Sequence, residues 1–131
     1  MKIAYETIFA LTGENTYTTE IPSLQGCISQ GTGIDHSTEM IIEAASLWLL
    51  DELEEGNPIP KARKTTKEDL SIFKDPIVRT IEIDIEQFAK KHAKQTTTRA
   101  IEIPTWLNTL ADQAHINLPD TVQTAIMQSV R

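Results

Sequence analysis

Arg99-Ala100-Ile101-Glu102-Ile103-Pro104-Thr105-Trp106-Leu107 opens the final 33 residues of the chain, and its reading decides the architecture. Alternation from Arg99 to Ile103 predicts a short strand, because successive side chains on a strand point to opposite faces. Pro104 marks the junction, and the remainder to Arg131 has the spacing of two short helices. A unit this small exposes most of the apolar surface it should hide, so it is expected to dimerise. Ile101 and Ile103 fall on one strand face; with Trp106 and Leu107 they are the expected dimer contacts. Thr98, Ala100 and Glu102 fall on the other face. Two such strands paired antiparallel form a ribbon whose outer face can enter a DNA major groove, where that trio would do the reading.

Working outward, the charge is unevenly spread. The formal net charge is −7. Met1 to Pro60 carries Lys2 as its one basic side chain, against ten acidic ones. Lys61 to Arg131 is mildly basic, with clusters at Lys61, Arg63, Lys64 and Lys67 and at Lys90, Lys91 and Lys94. An acidic half suits a basic partner and repels nucleic acid, whereas the second half leaves phosphate contact open. Cys27 is the single cysteine, so no internal disulfide forms and the cytoplasm is the expected location. The N-terminus meets Glu6 too early for a secretory signal, and the apolar-leaning stretch from Met40 to Leu53 is too charged to span a bilayer.

Lys2 to Leu11 and Thr16 to Ile21 read as a hairpin around Gly13-Glu14-Asn15. Pro22 ends the second strand, and a third short strand is expected between Gly26 and Gly31. A helix follows, capped by Asp35 or Ser37, with Ile41, Ala44, Ala45, Trp48 and Leu49 on its buried face, and Gly56 with Pro58 stops it. Asn57 to Lys67 has no periodicity and reads as loop. From Ile77 to Ile85 strict alternation returns, placing Ile81, Ile83 and Ile85 on one side. Asp84 is then positioned to cap a helix from Ile85 to Lys94.

Few residues suggest catalysis. Glu82, Asp84 and Glu86 share one strand face, as paired carboxylates for a metal-dependent nuclease would, but any strand with one wet face produces the same spacing. His36, His92 and His115 have no ligand spacing, and Cys27 reads as a small buried hydrophobe. No Gly-rich phosphate loop or nucleophile elbow is present. Trp48 and Trp106 lie in apolar helical patterns and are expected in cores. These motifs therefore argue against an enzyme, and no catalytic residue, metal or cofactor is expected.

Tyr17-Thr18-Thr19-Glu20-Ile21-Pro22 followed by Gly26-Cys27-Ile28-Ser29-Gln30-Gly31 resembles the strand, turn and strand of HicB-type antitoxins from bacterial and archaeal toxin-antitoxin pairs. Ile101 to Leu107, Ile116-Asn117-Leu118 and Val122 to Ile126 resemble the C-terminal part of that family. The resemblance implies an α+β chain. Residues 1–90 would be a partial ribonuclease H-like domain, with three antiparallel strands plus a fourth and helices, that binds a toxin. Residues 91–98 would be a linker, and 99–131 a ribbon-helix-helix dimerisation module. The implied partners are a small, basic, RNA-cleaving HicA-type toxin, a second copy of the chain and operator DNA. Asp35, Glu39 and Glu43, on the predicted helix, are the expected toxin contacts. Lys94 and Asn117 join Thr98, Ala100 and Glu102 as expected DNA contacts.

Two residues depart from the family pattern. Glu102 puts a carboxylate where a small polar or basic groove-facing residue is usual, and Pro119 removes an N–H and a hydroxyl near the start of the second helix. A competing reading is a ligand-responsive ribbon-helix-helix transcription factor without a toxin partner. A third is a residual nuclease using Glu82 and Asp84.

Overall fold

A computed structural model describes residues 1–131. Its contacts divide the chain into two units, Lys2–Lys94 and Gln95–Arg131.

In the first unit, β1 (Lys2–Gly13) and β2 (Thr16–Glu20) form the expected hairpin, with Asn15 taking the positive φ that its turn requires. β3 (Ile28–Thr32) pairs with β2, and β4 (Ile77–Asp84) pairs with the far side of β1. The sheet is antiparallel throughout, in the order β3-β2-β1-β4. Its register sets Tyr5 opposite Ile81, Ile3 opposite Ile83 and Phe9 opposite Thr19. Directly paired residues share a face, so an apolar surface forms across the central strands. α1 (Gly33–Glu54) adds Ile41, Ala45 and Leu49 to the same core, with Ala44 and Trp48 packed at its margin. Fully burying each of these large aliphatic side chains contributes about 1.5–3 kcal/mol.

The third strand begins at Ile28 and not at Gly26, because residues 21–27 close a tight turn of their own. Ile21 N–H donates to Cys27 O, Leu24 N–H to Ile21 O and Cys27 N–H to Leu24 O. This turn sinks Leu24 and Cys27 into the core, as expected of the cysteine. Gly26 holds φ +81° there.

The start of α1 also differs from expectation. Thr32 is its N-cap, without a side-chain cap bond, and neither Asp35 nor Ser37 takes that role. His36 substitutes: its Nδ1 accepts from Thr32 N–H at 2.9 Å. Ser37 is buried beneath β3, its Oγ donating to Gly33 O at 2.6 Å. Gly31 permits this approach, since a Cβ there would lie 2.6 Å from Ser37 Cα.

From α1 the chain runs as an irregular strap that is pinned to the sheet. Tyr5 Oη donates to Pro60 O at 2.6 Å, Arg63 N–H to Ser23 Oγ at 3.0 Å and Thr65 N–H to Glu6 Oε2 at 3.1 Å. The strap ends in a single helical turn, α2 (Lys67–Leu70), started by a capping box between Thr66 and Asp69. Further on, Ile81, Ile83 and Ile85 are buried, and Asp84 Oδ1 accepts from Gln87 N–H at 3.0 Å. That bond caps α3 (Ile85–His92), which stops two residues short of Lys94 because Ala93 turns extended.

The second unit holds α4 (Thr105–Gln113) and α5 (Leu118–Val130). Residues 95–104 carry no regular structure, so the strand expected from Arg99 to Ile103 is absent. A strand exists by its ladder, and the single chain supplies no second strand for this one. No residue of this unit is buried. Trp106, expected in a core, is 65% exposed, and Ile101 is 63% exposed. No helix of the chain is long and apolar enough to cross a membrane.

Candidate functional site

α1 carries Asp35, Glu39, Glu43, Asp51, Glu52 and Glu54 and no lysine or arginine. Asp51, Glu52 and Glu54 sit at its C-terminal end, where the helix dipole already disfavours negative charge. Local stability does not explain this placement. It produces a strongly negative helix surface, with Leu47 exposed among the acids.

A groove of about 500 Å³ opens between α1, the end of β4 and α3. Glu39 and Glu43 line it from α1, Glu82 and Asp84 from β4, and Lys91 and His92 from α3. Ile42, Ser46 and Phe88 supply its less polar surface. Half-buried Phe88 stacks against His92 with ring centroids 4.3 Å apart. The Asp84 carboxylate is engaged in capping α3, and Glu86 is paired with Lys90 at 3.2 Å. Glu39, Glu43 and Glu82 have no ion pair or hydrogen bond within the chain. No group of three acidic, histidine or cysteine side chains is placed to hold a metal ion.

The structure thus joins two of the three expected toxin contacts, Glu39 and Glu43, to one groove, and leaves Asp35 exposed outside it. Glu82 lines the same groove, although the sequence offers it only as part of a strand's wet face or as a residual-nuclease carboxylate. Its juxtaposition with α1 is tertiary and left no local signal.

The surroundings of Cys27 disfavour the nucleophilic thiolate. Burial, reinforced by the nearby Glu20 charge, pushes its thiol up to about 11. On the strap, the Arg63 guanidinium grips Asp69 at 2.7 and 3.0 Å. That bond, with the Thr66 N–H, holds the Asp69 carboxyl well below the usual carboxylate range.

In the second unit, Thr98, Ala100 and Glu102 are exposed on irregular backbone, and Ile101, Ile103, Trp106 and Leu107 are likewise exposed. Lys94 is exposed just beyond α3 in the first unit. Asn117 has a structural task that was not anticipated: its Oδ1 caps α5 by accepting from Asp120 N–H at 3.1 Å. Pro119 fits the first turn of that helix, where an N–H has no intrahelical partner.

The first unit is an antiparallel sheet backed by an acidic helix, and the second is a pair of short helices whose apolar side chains lie exposed. The chain belongs to the HicB-like antitoxin family of bacterial toxin-antitoxin systems, which it matches over residues 5–125. It is an antitoxin by that membership. Its α+β fold is similar to that of a chain in a toxin-antitoxin complex from Streptococcus pneumoniae, at 18% identity and TM-score 0.60, covering 98% of this chain and 99% of the other. The antitoxin HicB of Burkholderia pseudomallei is similar at 15% identity and TM-score 0.56, covering 98% and 96%. A chain of a HicA3 and HicB3 toxin-antitoxin complex aligns with 63% of this chain and 99% of its own length, at 22% identity and TM-score 0.52. Among curated proteins, none matches the sequence.

Proposed function

We propose that this chain neutralises a small, basic, mRNA-cleaving HicA-type toxin through its first unit, acting by binding and not by catalysis. The observation that carries the proposal is the 22-residue α1, with six acidic residues and no lysine or arginine, set on a HicB-like fold. A toxin that grips RNA presents a positive surface, and an acidic helix with uncompensated carboxylates competes for it while accelerating encounter. The partial ribonuclease H-like description of the sheet and α1 belongs to this reading.

The second unit completes the proposal as a ribbon-helix-helix module. Residues 99–103 of two copies pair antiparallel, covering Ile101, Ile103, Trp106 and Leu107, all of them exposed in the single chain. The dimer represses its own operon, with Thr98, Ala100 and Glu102 facing the groove and Lys94 and Asn117 near phosphate. Glu102 and the scarcity of basic residues between 96 and 131 make this the weaker of the two activities.

Co-expression with the basic protein encoded beside it tests the main claim. Growth arrest caused by that protein should be relieved, and the two should purify together. Persistent arrest with no co-purification would leave the ligand-responsive regulator as the better reading. For the module, Ile103→Asp should turn the dimer into a monomer by sedimentation, and an unchanged dimer would refute the ribbon.

A further inference from the structure

Within that reading, we infer that the groove between α1, β4 and α3 receives an arginine side chain of the basic partner. The layers of the groove match those of one residue type. Ile42 and half-buried Phe88 give it an apolar floor that nothing in the first unit covers. Glu39, Glu43 and Glu82 surround that floor as carboxylates without partners of their own. An arginine is built the same way, with an aliphatic stem that seeks apolar surface and a charged head that seeks carboxylates. Its planar fork also suits paired carboxylate oxygens and the face of an aromatic ring better than the compact ammonium of lysine does.

Lys91 and His92 from α3 also face the groove. Four carboxylates, including Asp84, outnumber these two side chains, so the groove is net negative. His92 is stacked on Phe88 and therefore occupies only one side of that ring. The groove, about 500 Å³ and open to solvent, has room for a guanidinium head and its aliphatic stem.

The test has two arms, so that failure of the groove and failure of the antitoxin reading are told apart. In the first, the full chain is titrated with N-acetyl-arginine amide while backbone amides are followed by NMR. Saturable shifts are expected at Ser46 and Phe88, and they should vanish in the Glu43→Gln, Glu82→Gln double variant. The citrulline analogue, equal in shape but uncharged, should cause none. Equal shifts from both probes, or arginine shifts confined to residues outside the groove, would overturn the inference whatever the toxin does.

In the second arm, affinity for the co-expressed toxin is measured after charge reversals of equal size. Glu43→Lys and Glu82→Lys should each weaken binding about tenfold or more, as expected where a charge loses a desolvated partner. Asp35→Lys, on the same helix but outside the groove, should weaken it less than about threefold, as for a solvated rim charge. Equal effects at all three positions would mean that only the general field matters, and the groove would be refuted. Absence of any wild-type affinity would instead refute the antitoxin reading.

Discussion

Gly31→Ala should be among the most damaging single-carbon changes this chain can suffer. The added Cβ would lie 2.6 Å from Ser37 Cα, 2.7 Å from Ser37 N and 2.8 Å from Ser37 Oγ. Comfortable carbon-carbon contact is about 3.5–4.0 Å, so β3 and α1 must part by about 1 Å. The obstacle is helix backbone, which cannot rotate aside. Overpacking of this kind costs about 3 kcal/mol at the upper end of its range. Alanine also restricts the unfolded chain, which returns about 0.4–1 kcal/mol, and the net loss should be near 2 kcal/mol. With a urea dependence of about 1.5 kcal/mol per molar, the midpoint falls by more than about 1 M. The assay is urea unfolding followed by Trp48 fluorescence in a Trp106→Phe background, since Trp48 Nε1 donates to Gln25 O at 3.1 Å and reports on the same unit. Gly26→Ala is the control: that glycine has positive φ but nothing within 4 Å of its Cβ position, so only backbone strain of about 1–2 kcal/mol opposes the same unfolded-state gain. A Gly31→Ala midpoint equal to the Gly26→Ala or wild-type midpoint would refute the claim that close strand-helix approach fixes α1.

Other consequences follow from individual side chains. Cys27, buried and with its thiol raised to about 11, should react with a disulfide reagent at pH 8 more than about 100-fold more slowly than in urea, where the thiol returns to about 8.5; equal rates would contradict its burial. Asp69 has a lowered folded-state pKa, so its contribution to anchoring the strap is full above the ordinary carboxyl pKa of about 3.9 and fades as pH falls below it. Hydrogen exchange at the Asp69 amide should therefore show constant protection factors from pH 5 to 8. Arg63→Met should reduce them, and a protection step near neutrality would be inconsistent with this pairing. Asp84→Ala should cost about 1 kcal/mol by uncapping α3, read as loss of exchange protection at Gln87.

The parts of the fold legible in the sequence were those governed by local pattern. Alternation through Ile81, Ile83 and Ile85 located β4, and Asp84 was legible as a cap because a short acidic side chain stood at the switch between periods. The capping box of Thr66 and Asp69 was equally local, yet α2 was missed, since one helical turn carries no apolar periodicity. The start of α1 was misread for a tertiary reason. Ser37 has the chemistry of a cap, but Gly31 lets the helix press against β3 and buries it, leaving His36 to accept the Thr32 N–H. The groove was half visible: Glu39 and Glu43 could be placed on an exposed helix face, whereas Glu82 joins them only through the sheet. Residues 99–103 show the converse limit, an alternating pattern that forms no strand in the single chain.

The most direct test of the central claim is a cleavage assay in which the purified full chain is titrated into the purified toxin from the adjacent gene acting on mRNA. The account predicts that cleavage stops at an equimolar ratio and that Glu43→Lys, Glu82→Lys antitoxin requires a large excess. Cleavage continuing undiminished in the presence of excess wild-type chain would contradict it.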